Sequence, residues 1–272
     1  MEQKSIRYQH ADIHYKIYGK GFPVLLIHGF AEDSNIWNNQ VQFLKNRYQL
    51  IVPDLPGSGI SALISKEHIG IEEYAEAIRQ ILLQEKIEKL IMIGHSMGGY
   101  ITLAFAEKYP ELLSAFGLFH SSAYADDDAK IETRKKAIGF IRKNGAEAFL
   151  KTSIPGLFYE QQENSLEVQQ HLKQLEDARL AHPFSAEALI QYYEAMIARP
   201  NRTILLRETP LPVMFILGEH DKAVPFKHGL EQTHLPQHTY INILRNSAHM
   251  GMLEETDKSN EILGNFLLNH SF

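Results

Sequence analysis

Leu90-Ile91-Met92-Ile93-Gly94-His95-Ser96-Met97-Gly98-Gly99 runs from a short apolar segment of strand-forming residues directly into a Gly-x-Ser-x-Gly turn. Residues 100–108 continue at once with helical character, so a strand, a sharp turn and a helix are expected, with Ser96 at the apex. The pattern has steric content: strand and helix backbones approach closely at such a turn, and the residues flanking its apex must lack bulky side chains. Gly94 and Gly98 meet that requirement. A serine that opens a helix can also be a simple cap, so the rest of the chain has to separate the two readings.

Outward from this turn, other apolar runs read as strands buried on both faces. They are Pro23-Val24-Leu25-Leu26-Ile27 and Gln49-Leu50-Ile51-Val52-Pro53 before it, and residues 112–119, Val213–Gly218 and Thr239–Leu244 after it. Residues 5–8 and 11–18 alternate apolar and polar, which predicts an antiparallel hairpin at a sheet edge. A helix is expected to begin near Asn35 or Ile36 and to include Trp37, Val41 and Leu44. Residues 71–86 place Ile71, Tyr74, Ala75, Ile78, Ile81 and Leu82 on one helical stripe. Strands alternating with helices at this spacing predict an α/β fold, a doubly wound and mostly parallel sheet covered on both faces.

The alternation breaks after residue 120. Residues 121–207 contain no strong strand run and read as helices over 126–143, 146–152, 163–180 and 185–199, before the sheet resumes and a helix over 256–268 closes the chain. The expected organisation is a core in two parts, 1–120 and 208–272, with an all-helical cap, 121–207, inserted between two core strands.

Composition narrows the chemistry. The chain has 272 residues, 44% of them hydrophobic, and 33 acidic against 27 basic residues give a net charge of −6 without a long single-sign block. That is an ordinary globular composition and argues against a nucleic-acid groove. There is no cysteine, so disulfides, thiolate metal sites and a cysteine nucleophile are excluded. Neither a His-Glu-x-x-His nor a close His-x-His pair occurs among the 14 histidines, so no metal or other cofactor is expected. The first residues, Met1-Glu2-Gln3-Lys4-Ser5-Ile6-Arg7, lack the apolar core of a secretion signal, and the most apolar stretch is broken by His95, Ser96 and glycines. A cytoplasmic protein without a membrane span is expected.

A serine hydroxyl is a weak nucleophile and needs a base within reach, itself oriented by a third group. In parallel sheets such groups gather where loops leave the carboxyl ends of strands. Two later strands lead into suitable residues: Gly218-Glu219-His220-Asp221 and Asn246-Ser247-Ala248-His249. The acid could be Asp221 or the neighbouring Glu219.

Together with His28-Gly29-Phe30 and Asp54-Leu55-Pro56-Gly57-Ser58-Gly59, these motifs make the chain resemble the capped branch of the α/β-hydrolase superfamily. The resemblance covers about residues 20–120 and 210–272, and no motif identifies the insertion. It implies Ser96 as nucleophile, His249 as base and then acid, and Asp221 as the group orienting His249, in the chain order of that fold. It also implies an oxyanion hole from the backbone N–H groups of Phe30 and Met97. His120 and Ser121, at the end of a strand, and Phe158 and Tyr192 in the insertion are candidate substrate-pocket residues. Ordinary packing or loop capping is the competing reading for each.

The expected activity is hydrolysis of a small carboxylic ester or related acyl compound through an acyl-Ser96 intermediate. Relatives with this triad also cleave carbon–carbon bonds, thioesters or lactones, or form peracids, and a non-enzymatic small-ligand receptor on the same fold is the alternative of another class. The partner is a small-molecule acyl substrate. Monomer and dimer both stay open.

Overall fold

The computed structural model describes residues 1–66, 68–160 and 165–271. Its strands are β1 (Glu2–Tyr8), β2 (Ala11–Tyr18), β3 (Phe22–Ile27), β4 (Tyr48–Pro53), β5 (Leu90–His95), β6 (Leu113–Phe119), β7 (Val213–Gly218) and β8 (Thr239–Leu244). They form one eight-stranded sheet in the order β1-β2-β4-β3-β5-β6-β7-β8. The β1–β2 and β2–β4 pairs are antiparallel; all pairs from β4 to β8 are parallel. The expected edge hairpin and parallel sheet are both present, with β1 beginning three residues earlier than the alternation suggested.

β5 lies near the middle of the sheet and is buried along its whole length, which is why its sequence is apolar without alternation. Leu90, Ile91, Met92 and Ile93 are fully enclosed. Each such side chain contributes about 1.5–3 kcal/mol relative to exposure.

The helices before and just after β5 are α1 (Asn38–Leu44), α2 (Ile71–Gln84) and α3 (Met97–Lys108). α1 is entered through a 3-10 turn, Ser34–Trp37, capped by the Asp33 carboxylate. In α2 the predicted stripe is the buried face, and Glu72 and Glu73 in its first turn complement the helix dipole. α3 is buried on nearly every side, because it packs against α2, β5 and β6 together.

Between β6 and β7 lie α4 (Asp128–Asn144), α5 (Ala146–Ser153), α6 (Leu166–Ala181), α7 (Ala186–Ala198) and α8 (Thr203–Glu208). Caps set most of the starts: Asp127 accepts from the Lys130 N–H, Ser165 from Val168 and Ser185 from Ala188. Gly145, at φ 85°, breaks α4 from α5. The helix expected over 163–180 is therefore α6, and residues 163 and 164 lie outside the described residues. The chain continues with α9 (Phe226–Leu230), α10 (Gly251–Glu254) and α11 (Thr256–His270). Among the described residues, no helix is long and apolar enough to cross a membrane.

The turn after β5 brings three backbones close together. A Cβ on Gly94 would stand 2.2 Å from the Gly98 carbonyl oxygen, and one on Gly98 would stand 2.5 Å from that of Ile27. Both clashes are with backbone, which cannot move aside cheaply. Gly94→Ala and Gly98→Ala are expected to destabilise by at least about 1–3 kcal/mol, the usual cost of overpacking. Gly139→Ala, where a Cβ meets nothing within 4 Å in the middle of α4, should instead stabilise by about 0.5–1 kcal/mol. Urea midpoints for the three variants check this; wild-type stability in the first two would refute the steric account.

Candidate active site

Ser96 sits at the C-terminal end of β5 with φ 50° and ψ −115°, a conformation rare for any residue but glycine. Its backbone is held on both sides. The Ser96 N–H donates to the Phe119 carbonyl at 2.9 Å, and the Ser96 carbonyl accepts the Ser121 hydroxyl at 2.7 Å and the Gly99 N–H at 2.9 Å. Strain of this kind persists only where neighbours over-determine it.

His249 follows β8 and Asp221 follows β7, so both come from loops at the same end of the sheet as Ser96. His249 Nε2 is 2.9 Å from Ser96 Oγ, and its Nδ1 is 2.8 Å from Asp221 Oδ2. The other carboxylate oxygen of Asp221 accepts the N–H groups of Ala223 and Val224, each at 2.8 Å. Burial alone would raise the Asp221 carboxyl, but the charge and hydrogen bond of His249, with His120 and the Val224 N–H, hold it below its ordinary value. An ionised carboxylate on Nδ1 fixes the proton there and leaves the Nε2 lone pair facing the Ser96 hydroxyl. This geometry can take a proton from Ser96 and return it to another group. Of the two possible acids, Asp221 meets His249, while Glu219 is exposed and the adjacent His220 stacks on Tyr159 at 3.8 Å.

The loop after β3 lies against Ser96. A Cβ on Gly29 would stand 3.1 Å from Ser96 Cβ and 3.0 Å from His95 Nδ1, so this approach also depends on glycine. The Met97 N–H is in the first turn of α3, where no intrahelical acceptor exists. The Phe30 ring stacks on Tyr193 at 4.3 Å and meets Phe149 edge-on at 6.4 Å, which ties the loop to α7 and α5.

Two buried carboxylates that sequence reasoning missed organise these loops. Glu32 Oε2 accepts the Gly29 N–H at 2.6 Å and lies 3.0 Å from His95 Nδ1. The other His95 nitrogen, Nε2, is 2.9 Å from the His249 carbonyl oxygen. Carboxylate and carbonyl can only accept, so both ring nitrogens carry protons and His95 is an imidazolium paired with Glu32. Burial alone would raise Glu32 and lower His95, but their mutual charge and hydrogen bond outweigh it, holding Glu32 below and His95 above its ordinary value. Glu254, in α10, accepts the N–H groups of Ala248 and Met250, at 3.0 and 3.1 Å, and the Ser247 hydroxyl at 3.0 Å. Its second oxygen accepts the Tyr159 N–H at 2.6 Å, and the His249 N–H donates to the Leu157 carbonyl at 2.9 Å. Burial pushes the Glu254 carboxyl up, against these hydrogen bonds.

The four residues expected to face the substrate are enclosed. His120 is 1% exposed, and its Nδ1 accepts the Gly218 N–H at 3.0 Å. Ser121 bonds to Ser96 as described above, and Phe158 is packed among buried hydrophobic side chains. The Tyr192 hydroxyl donates to the Pro56 carbonyl at 2.7 Å and docks α7 on the 54–61 loop. Two cavities are bordered by residues adjacent in the chain to His249, Asp221 and Ser121 or in contact with them. One, of about 280 Å³, is bordered by Phe30, Leu157, Leu175, Phe184 and Met250. The other, of about 500 Å³, is bordered by Tyr100, Ser122, Asp126, Arg199 and Val224.

Residues 23–136 match the family model described as alpha/beta hydrolase fold. The chain is 26% identical over 248 residues to a pimeloyl-[acyl-carrier protein] methyl ester esterase of Legionella pneumophila, covering 90% of this chain and 95% of that one. Among solved structures it is similar to a thermophilic, malate-bound esterase of Thermogutta terrifontis, with TM-score 0.89, 23% identity and full coverage of both chains. The enol-lactonase of Burkholderia xenovorans LB400 gives TM-score 0.86 at 20% identity, covering 97% of this chain and all of that one. The structural likeness shows the α/β-hydrolase fold.

The Glu32–His95 pair makes a measurable prediction. The lowered Glu32 stabilises the fold fully above its ordinary value of 4.5 and loses that contribution as pH falls through its folded value. The raised His95 contributes fully below its ordinary 6.5 and loses it as pH rises through its folded value. The pair is therefore complete between those two ordinary values and fades on either side. Glu32→Gln breaks it and should cost about 3–5 kcal/mol of stability. Nitrogen-15 NMR within that pH window should find both His95 ring nitrogens protonated; a neutral ring would refute the assignment.

Proposed function

We propose that this chain belongs to the α/β-hydrolase superfamily and is a serine hydrolase that cleaves a small carboxylic ester through an acyl-Ser96 intermediate. The observation that carries the reading is the unbroken hydrogen-bond chain from Ser96 Oγ through His249 to Asp221 at the carboxyl ends of parallel strands. The esterases and the lactonase among the similar proteins support it, since a lactone is an ester closed on itself.

Ser96 Oγ attacks the ester carbonyl carbon while His249 Nε2 takes the hydroxyl proton, and Asp221 stabilises the imidazolium that forms. The carbonyl oxygen becomes an oxyanion, received by the backbone N–H groups of Phe30 and Met97. Collapse of the tetrahedral species breaks the bond to the alcohol, which leaves with the proton from His249. Water then attacks the acyl-enzyme with the same base, and the acid departs. The helices of residues 121–207 act as a cap that excludes bulk water from these steps. The buried Glu32–His95 pair holds the Gly29 N–H and the His249 carbonyl, and so keeps the oxyanion loop and the base in register.

A fluorophosphonate probe should label Ser96, and the protein should turn over p-nitrophenyl acetate. Ser96→Ala and His249→Ala are expected to lower kcat on the order of 10⁶-fold, as for other triads. Asp221→Asn should lower it about 10⁴-fold by leaving His249 in the wrong tautomer. Folded protein that neither labels nor turns over ester would sink the proposal, and full activity in any of the three variants would remove that residue from it.

A further inference from the structure

A second polar cluster lies beside these groups, and its charges do not balance. The Asp126 carboxylate receives two guanidinium groups: Arg134 Nε at 2.5 Å and Arg199 Nη2 at 2.9 Å. All three are largely enclosed, with Arg134 and Arg199 at 9% and 7% exposure and the Asp126 side chain at 2%. Two cations on one carboxylate leave one positive charge uncompensated. Arg199 donates once more, from Nη1 to the Met196 carbonyl at 2.7 Å, but its Nε is buried without a partner. Its plane lies 3.8 Å over the Tyr100 ring, and Arg134 stands 5.5 Å over Tyr193, whose ring stacks on Phe30.

Asp126 and Arg199 of this cluster form part of the wall of the 500 Å³ cavity, and Arg134 joins it through Asp126. Three other wall residues lie next to the groups assigned to catalysis. Tyr100 is one helical turn along α3 from Ser96. Ser122 follows Ser121, whose hydroxyl holds the Ser96 carbonyl. The Val224 N–H donates to Asp221. The remaining charged side chains at this cavity are Asp127, Lys130 and Lys222. Asp127 caps α4, Lys130 donates to the Ala223 carbonyl, and Lys222 pairs with Glu160, so each is already engaged.

A buried net charge is costly unless an ion of opposite sign meets it, and a guanidinium fork matches the two oxygens of a carboxylate. We propose that the Arg134–Asp126–Arg199 cluster binds a carboxylate carried by the substrate, so that the ester cleaved at Ser96 is an anionic one such as a half-ester of a short dicarboxylic acid. This rests on the serine-hydrolase reading for its chemistry, and on the charge count and the cavity for its specificity.

The test compares monomethyl succinate and monomethyl adipate with methyl esters of monocarboxylic acids of the same length. In wild type kcat/KM should favour the charged esters by about tenfold to hundredfold, the worth of a hydrogen bond to a charged group. Arg199→Gln should collapse that ratio, and Arg199→Lys should keep part of it. Succinate binding, followed by calorimetry without any turnover, should be salt-sensitive and lost in Arg199→Gln and Arg134→Gln. If Arg199→Gln does not fold, Arg199→Lys and the wild-type ratio decide. Equal rates for charged and neutral esters, with no succinate binding, overturn the inference and leave the hydrolase reading standing. Succinate binding without turnover of any ester supports the anion site and overturns the hydrolase reading.

Discussion

The close approach of three backbones at Gly94 and Gly98 is the constraint on which the site depends. β5, the start of α3 and the end of β3 meet at distances that leave no room for a Cβ, and Ser96 is forced to a positive φ between them. The strain is local, and what resists it is the central parallel sheet, where β5 is buried from end to end. A serine on a relaxed turn could rotate away from its neighbours. Here the main chain decides where the hydroxyl stands, and the hydrogen bonds from Ser121 and to Phe119 keep the main chain there.

Around that turn, electrostatics does what packing alone cannot. Loops cannot bury their polar backbone groups without partners. The fold supplies carboxylates for the purpose: Glu32 for the loop after β3 and Glu254 for the loop that carries His249. Glu32 is balanced by His95 charge for charge, whereas Glu254 is met by neutral donors and its carboxyl is pushed up. The Asp126 cluster has the opposite imbalance, with more cation than anion. The three buried ionic arrangements near Ser96 thus differ in sign.

Much of this was legible in the sequence, for physical reasons. Strands buried on both faces need continuous apolar runs, and turns without room for a Cβ need glycine, so β3 to β7, Gly94 and Gly98 announce themselves. The order of Ser96, Asp221 and His249 along the chain was readable because each follows a strand. The choice between Asp221 and Glu219 was not, since it depends on which side chain the loop turns inward. Chain position alone makes His120, Ser121, Phe158 and Tyr192 pocket candidates, and it does not show that polar groups after a strand can also bond to main chain, as His120 and Ser121 do. The Glu32–His95 pair joins residues 63 apart, and no local pattern marks such a contact. α8, α9 and α10 are too short to show a helical period.

The hydrogen bonds between the segment after β6 and the His249 loop bear on how such a molecule opens. The Leu157 carbonyl holds the His249 N–H directly, and the Tyr159 N–H shares Glu254 with Ala248 and Met250. A hinged lid that swung off the core would break both contacts and free the His249 loop. Any displacement of residues 157–159 would therefore be felt at His249, at the cost of both hydrogen bonds.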